Sequence, residues 1–446
     1  MKPFLHFILI TLLSNNLLIG QIISYELTAT WSKEEVADIY QQYDVPEIGG
    51  AINYAVDGYK ILYFTPDYDG ELVICSGAIF LPSGIECSPP ILSWQHGTES
   101  NNTEVPSNVG NNYNDLIGAI GAANGYIVTM SDFIGLGEGE GMHNYVHAKT
   151  EASSTIDLII YGKEFATQML GTPTNNQLFL FGYSQGGHAT MAAVREIEEN
   201  YSDQLTITAS CPMAGPYSMS VAQRLMLESG QEYPNPGYLP YVLFAYDKIY
   251  NLYENINDVL ISPYNQNLYQ MYNGNYSMGE INNTLPNTPI EIFQNDYYQD
   301  YLNNNDHPFK LALLDNDTYE FIPQSPMRLI HCSGDDNVTY ENSEIAYDYF
   351  MENGAEDIEF NEPPGGENLN HGDCAGIAIL GAKLWIDTMA ELCEPTQINE
   401  ISNTKKRVLI NQFDFLGRPL ERSLFNKNFI RVFNDGSFEK KLQISR

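Results

Sequence analysis

The segment Leu178-Phe179-Leu180-Phe181-Gly182-Tyr183-Ser184-Gln185-Gly186-Gly187 constrains this chain more than any other. An apolar run of strand character enters Gly-x-Ser-x-Gly and passes, without a linker, into residues of helical spacing. So tight a turn leaves no room for side chains at its flanking glycines. It also forces the central serine into a strained backbone conformation with its hydroxyl exposed. The helix that starts beneath it brings a positive dipole end and a free N–H, that of Gln185, to the same spot. A hydroxyl is a weak nucleophile at neutral pH, so a serine presented this way implies a base and an acid that orients the base. A strand-to-helix junction also implies a sheet covered by helices, which the rest of the chain must supply.

Strand-like runs do alternate with helix-like ones between residues 59 and 393. The candidate strands are Tyr59–Thr65, Glu71–Leu81, Pro90–Gln95, Tyr126–Asp132, Gln177–Tyr183, Thr206–Met213, Met327–Ser333 and Asp357–Asn361. Between the later ones lie Asn114–Asn124, Ser153–Leu170, Gly186–Tyr201, Glu341–Asn353 and Cys374–Leu392, all with helical periodicity. The expected architecture is α/β, a mostly parallel eight-stranded sheet of the α/β-hydrolase fold whose first two strands, lacking a helix between them, are antiparallel. From Gly215 to about Pro326 the alternation breaks into a stretch rich in Tyr, Asn, Pro and Met, with helical pieces such as Ser220–Glu228. A structureless loop of that length does not suit a compact domain, so this stretch is read as a helical cap inserted after the sixth strand. Caps of this kind bind the apolar part of a substrate and exclude water. Leu243 and Phe244 are among the side chains expected to form that surface.

In this fold the chain order is serine, acid, histidine. Of the histidines well past the elbow, His307 falls in the cap, His331 inside a strand, and His371 in the loop between the last strand and the last helix. His371 is therefore the expected base. After the seventh strand comes Gly334-Asp335-Asp336-Asn337-Val338, and two adjacent carboxylates cannot both point at one imidazole from one turn. Asp336, just ahead of the Asn337-Val338 step, is the expected acid, with Asp335 left to accept backbone N–H groups in the turn. The second oxyanion donor is expected from Gln95-His96-Gly97-Thr98 after the third strand. Thr98 is the first candidate and Gly97 the alternative, each acting beside Gln185. His96 precedes the serine and is expected to pack beneath its loop. His143 and His147 stand four apart, but no third ligand and no Glu at the metalloprotease spacing accompany them, so no metal or other cofactor is expected.

Lys2, the apolar run Phe4–Leu13 and Gly20 before Gln21 read as a secretory signal over residues 1–20. Ser14-Asn15-Asn16 cuts that run short of the ~20 residues a membrane span needs, and no later segment is long and apolar enough. An exported catalytic domain over residues 21–398 is expected, with no integral membrane segment. The net charge of −36, from 57 acidic against 21 basic side chains, opposes partners such as nucleic acid or an anionic membrane surface. The charge is uneven: residues 399–446 hold 10 basic and 5 acidic residues, which marks a domain boundary near Thr396–Ser402. Strand-like stretches Arg407–Phe415, Phe429–Phe433 and Phe438–Ile444 follow, with a hairpin signal at Asn434-Asp435-Gly436. Six cysteines in an exported chain permit disulfides, and Cys75 with Cys87, across a short loop, is the first expected pair.

Trp94-Gln95-His96-Gly97-Thr98, Gly125-Tyr126-Ile127-Val128, Ser131-Asp132-Phe133-Ile134-Gly135-Leu136-Gly137 and His143-Asn144-Tyr145 resemble the secretory lipases, an α/β-hydrolase family of exported lipases and esterases. The likeness continues through Gly182–Gly187, Gly334–Val338, Asn353-Gly354-Ala355 and His371, and spans roughly residues 50–393. It implies a Ser184–Asp336–His371 triad, a cap over an acyl-binding pocket, and a small-molecule or lipid ester as substrate. The tail, with Phe413-Asp414-Phe415-Leu416-Gly417-Arg418, Asn434-Asp435-Gly436 and Lys440-Lys441, resembles the C-terminal sorting domain of the type IX secretion system, which implies export across an outer membrane with that secretion machinery as a partner. Two other functions share the core residues: a serine peptidase of the same fold, a small aminopeptidase included, and a binding protein without catalysis. The chain has no N-terminal propeller-sized domain of the sort large oligopeptidases carry, and an intact elbow with a late His371 speaks against an inert protein.

Overall fold

The computed structural model describes residues 21–42 and 49–393, together with three short strands of the tail. In chain order the elements are β1 (Ile22–Trp31), α1 (Lys33–Gln42), β2 (Ala55–Pro66), β3 (Leu72–Ser83), β4 (Ile91–Gln95), α2 (Asn114–Asn124), β5 (Ile127–Ser131), α3 (Ala148–Leu170), β6 (Leu178–Tyr183), α4 (Gln185–Asn200) and β7 (Ile207–Met213). The interval 215–326 holds α5 (Arg224–Glu228), α6 (Tyr238–Tyr250), α7 (Ile256–Val259), α8 (Tyr264–Asn267), α9 (Met278–Asn282), α10 (Asn295–Asn303) and α11 (Pro308–Asp315). The sheet then resumes with β8 (Met327–Ile330), α12 (Glu341–Glu352), β9 (Ile358–Asn361) and α13 (His371–Ile386).

The sheet has nine strands in the order β1-β2-β3-β5-β4-β6-β7-β8-β9. β1 to β3 pair antiparallel, and β3 meets β5 antiparallel; from β5 through β9 every pairing is parallel. Strands covered on both faces should be apolar throughout, and every residue of β4, β5 and β6 is buried. One face packs under α3, α4 and α12 through Ile156, Phe165, Met191, Val194 and Phe350. The other packs under α1, α2 and α13 through Val36, Tyr40, Ala123, Ala382 and Ile386. Burying each of the larger side chains stabilises the fold by ~1.5–3 kcal/mol relative to leaving it exposed.

The eight expected strands correspond to β2 through β9, and the ninth, β1, lies ahead of them. Ser24 to Trp31 do alternate polar with apolar residues, a strand signal that lies ahead of the alternation followed from residue 59, although most of these side chains are exposed because β1 sits at the sheet edge. Its partner β2 holds it through backbone pairing, and Tyr25 and Trp31 pack against Phe165 and Phe80.

All helices of the 215–326 interval belong to a separate apolar cluster, in which Leu243 and Phe244 are buried beside Tyr246, Val259 and Leu260. The same cluster takes in Met142, Tyr145 and Val146 from the segment between β5 and α3, on which these helices pack. Tyr145 stacks on Tyr241 of α6 with ring centroids 4.2 Å apart.

The disulfides correct the sequence expectation: Cys87 pairs with Cys393 and Cys332 with Cys374, while Cys75 and Cys211 are free and buried. Cys75 could not reach Cys87, because β3 runs on straight to Ser83. That places ~26 Å of extended chain between Cys75 and the strand end. No helix among the described residues is long and apolar enough to cross a membrane. The segment read as a signal lies outside the described residues. In the tail, β10 (Leu409–Phe413), β11 (Phe429–Phe433) and β12 (Phe438–Lys441) form an antiparallel three-stranded sheet.

Candidate active site

The elbow is shaped by close backbone crossings. A Cβ on Gly186 would overlap the Gln95 carbonyl, and one on Gly182 would overlap the Gly186 carbonyl, so the start of α4 lies directly against the end of β4. Ser184 between them takes φ 61° and ψ −123°, a left-handed conformation that a side chain adopts only under strain. Its N–H donates to Met213 O at 3.0 Å, and its carbonyl accepts from Gly187 and His188, so the strained unit is pinned on both sides.

Ser184 Oγ lies 2.8 Å from His371 Nε2. His371 opens α13, where Asn370 caps the helix by accepting from Asp373 N–H. The Tyr183 hydroxyl donates to the His371 carbonyl at 2.6 Å, and the Tyr183 ring packs against the imidazole. His371 Nδ1 is 2.6 Å from Asp335 Oδ2. A carboxylate can only accept, so Nδ1 carries the proton and Nε2 is left free to take one from Ser184.

The acid facing His371 is therefore Asp335 and not Asp336, which corrects the sequence expectation. Asp335 folds back over its own turn: Oδ1 accepts from Asn337 N–H (2.9 Å) and Val338 N–H (2.8 Å), while Oδ2 is turned inward to His371 and, at 3.2 Å, to His331 Nε2. The role assigned to it in the turn and the role assigned to its neighbour are both its own. Asp336 is exposed and accepts through Oδ1 from the Asn337 side chain at 2.8 Å and from His371 N–H at 3.2 Å. Burial raises the Asp335 carboxyl, but hydrogen bonds from His331 and His371 outweigh it and hold the group well below the usual carboxylate range. His331, placed from sequence inside a strand, directly follows β8, is fully buried and gives the acid a second donor; its Nδ1 lies 2.8 Å from Ser343 Oγ.

The segment Gln95–Thr98 crosses above the elbow, where a Cβ on Gly97 would stand 3.9 Å from the Ser184 Cβ. Among the described residues neither the Gln185 nor the Thr98 N–H is engaged by a protein acceptor. The Thr98 hydroxyl meets Tyr145 OH at 2.8 Å, which ties this loop to the segment between β5 and α3. His96 packs below it, with its ring 4.5 Å from that of Phe133 and its nitrogens on the Gly97 and Asp132 carbonyls. The interval 215–326 reaches the acid turn as well: Gln223 Nε2 and Tyr233 OH both donate to Asn337 O.

His143 and His147 do not share a helix face. His143 lies before α3 and bonds Ile134 O and the Gln185 side chain, whereas His147 precedes the first residue of α3 and meets Thr150. No group of three or more metal-ligating side chains occurs among the described residues. Sequence reading missed Glu151 and His188, buried beneath the elbow. A lone acid on the buried face of α3, and a histidine one helical turn after the serine, were the available signals.

The sheet order, the elbow and the Ser–His–Asp chain define the α/β-hydrolase class, and the protein is an ester hydrolase. More particularly, it belongs to the secretory lipase family, whose model matches residues 112–372. Among solved structures it is similar to a putative hydrolase from Legionella pneumophila, with 26% identity and TM-score 0.74, covering 83% of this chain and 98% of that one. It is also similar to the rice cell wall degrading esterase LipA from Xanthomonas oryzae, with 26% identity and TM-score 0.71, covering 83% of this chain and 99% of that one. Candida antarctica lipase A in its closed state, 18% identical over 82% of this chain and 81% of that one, shares the fold with TM-score 0.62. No curated protein sequence matches the chain.

Proposed function

We propose that this protein cleaves carboxylic esters through an acyl-enzyme on Ser184, with His371 as general base and then general acid, and Asp335 orienting it. The carrying observation is the unbroken chain from Ser184 Oγ to His371 Nε2 (2.8 Å) and from His371 Nδ1 to Asp335 Oδ2 (2.6 Å). As Oγ attacks the ester carbonyl, its proton passes to Nε2, and the imidazolium formed is balanced by the ionised Asp335. The carbonyl oxygen becomes an oxyanion facing the N–H groups of Gln185 and Thr98. Collapse expels the alcohol, which takes its proton from Nε2. Water then repeats the sequence on the acyl-enzyme and releases the acid.

The acyl chain is assigned to a narrow, mainly apolar cavity in the cap, walled by Met219, Leu239, Val242, Phe293, Phe309 and Leu313, with Gln223, Arg224 and Glu228 also on its lining. Leu243 and Phe244, favoured from sequence, are not on that wall. Leu239 and Val242 occupy the face of α6 that borders the cavity, and they supply apolar contact with no charge of their own. With a net charge of −36 the protein suits uncharged esters. Export from the cell, and docking of the tail to type IX secretion machinery, belong to the same proposal and rest on the sequence resemblance.

Val242→Trp, which fills the cavity, is expected to lower kcat/KM for medium-chain esters relative to short ones by at least about tenfold. A panel of chromogenic esters of graded length, set beside aminoacyl amides, measures this. An unchanged chain-length ratio would remove the cavity from the acyl site. Faster cleavage of the amides than of any ester would overturn the reading altogether.

A further inference from the structure

The side chain of Gln185, the residue after the nucleophile, is turned into the protein toward His143 and Glu151 and is 1% exposed. Its amide nitrogen lies 2.7 Å from His143 Nε2 and 2.8 Å from Glu151 Oε1. An amide NH2 has two hydrogens, and each is taken by one of these acceptors. His143 Nε2 must then be unprotonated, with its proton on Nδ1 facing Ile134 O at 2.8 Å. Burial, which lowers the His143 pKa to about 3, agrees with a neutral ring.

Behind Glu151 stands His188, fully buried, with Nδ1 2.6 Å from Glu151 Oε2 and Nε2 3.0 Å from the Asn316 carbonyl. A carbonyl cannot donate, so Nε2 carries a proton, and one further proton lies in the short contact whichever partner holds it. Asn316, just after α11, also accepts Ala148 N–H through its side chain at 2.8 Å, which fixes the start of α3, the helix that carries Glu151. His188 lies one turn below Ser184 in α4, and its N–H donates to the Ser184 carbonyl. The Ser184–Gln185 peptide is thus gripped through both the serine carbonyl and the glutamine side chain. A residue in a sparsely populated conformation persists only where its surroundings over-determine it, and these contacts supply that constraint.

We infer that Glu151 and His188 are positioning residues that anchor the Gln185 side chain and so hold the Gln185 N–H where the oxyanion develops. The inference rests on Ser184 being the nucleophile. Neither group reaches substrate. Their effect should therefore fall on the transition state and spare ground-state binding.

The test uses Gln185→Met, Glu151→Leu and Glu151→Gln. Gln185→Met keeps the side-chain volume and removes the anchor. Glu151→Leu leaves the Gln185 amide and His188 Nδ1 without their partner. Glu151→Gln can restore every contact, because its oxygen accepts from Gln185 while its NH2 donates to a neutral His188. Gln185→Met and Glu151→Leu are expected to lower kcat by about 10- to 100-fold at nearly constant KM. Inhibition by an alkylboronic acid, whose serine adduct carries a tetrahedral anion, should weaken by a similar factor. Glu151→Gln should recover most of that loss, to within about fivefold of the parent. Gln185→Met stands in should Glu151→Leu fail to fold.

Labelling with a fluorophosphonate, read at Ser184 in the parent protein, separates two kinds of failure. Absence of label would remove the nucleophile reading itself. Full label in the parent, with kcat and boronate affinity of the folded variants within about twofold of it, would overturn the positioning role and leave the cluster as core structure.

Discussion

Ser184→Ala is expected to lower kcat for every accepted ester by about 10⁶-fold, or about 8 kcal/mol of transition-state stabilisation. Without Oγ there is no acyl-enzyme, and water would have to attack with only the oxyanion donors and binding energy left to assist. The fold should remain. Ser184 Oγ makes one side-chain hydrogen bond, to His371, and alanine inherits the same strained backbone held by Met213, Gly187 and His188. Circular dichroism and an unfolding curve check the fold, while initial rates on the best chromogenic ester check the chemistry. A folded alanine variant that retains more than about 1% of the parent rate would defeat the assignment of the nucleophile.

Asp335→Asn is expected to lower kcat by about 10⁴-fold, whereas Asp336→Asn should stay within about threefold of the parent. The four contacts of Asp335 are all N–H donors, two from histidines and two from the turn. An asparagine cannot accept all four. With its oxygen toward the turn, its NH2 forces His371 Nδ1 to accept and moves the ring proton to Nε2, where it faces Ser184 and cannot take a proton. With its oxygen toward His371, it sets NH2 against two backbone N–H groups and removes the countercharge for the imidazolium. Asp336 is exposed, and an asparagine there keeps the oxygen that accepts from His371 N–H. The same carboxylate bears on acid stability. Asp335 is held below the usual range, so its contribution is fully present above the unfolded value near ~3.9 and is lost as pH falls through the lower folded value. Asp335→Asn should therefore flatten the acid limb of stability against pH below about 4. Equal losses of activity from the two substitutions would show that the turn distributes its function across both carboxylates.

What the sequence made legible were features carried by local pattern. The elbow announced Ser184 because its glycines answer to a backbone crossing within a few residues, and His371 stood out because the last loop of this topology holds one histidine. The interval 215–326 was visible as a failure of alternation. The choice between Asp335 and Asp336 was not legible, since it depends on which side chain the turn directs inward, a matter of backbone torsion rather than composition. Glu151 and His188 are 37 residues apart and meet only because α3 packs against α4. The cysteine partners were hidden for a like reason: Cys87 and Cys393 are separated by 306 residues, and Cys332 and Cys374 by 42. The cavity wall turned on which face of α6 looks inward, and the apolar content of that helix covers both faces, so Val242 and Phe244 could not be told apart.

By covering β2, the edge strand β1 is expected to shield the molecule from self-association. β2 and β3 pair without a break from Ala55 to Pro66, so β2 alone would offer a long, regular row of unpaired backbone groups, a template for another chain. β1 covers that row and is a poorer template itself, because its register with β2 shifts between Ile22 and Ser24 and again between Leu27 and Ala29. A shortened chain beginning at Tyr54 should keep the triad but associate at concentrations where the full-length chain stays monodisperse, as light scattering would show; monodispersity without β1 would count against this shielding role. Proteolytic trimming at the amino terminus therefore has little latitude: a cut a few residues beyond Gln21 begins to strip away the flank that keeps one molecule from growing onto the next.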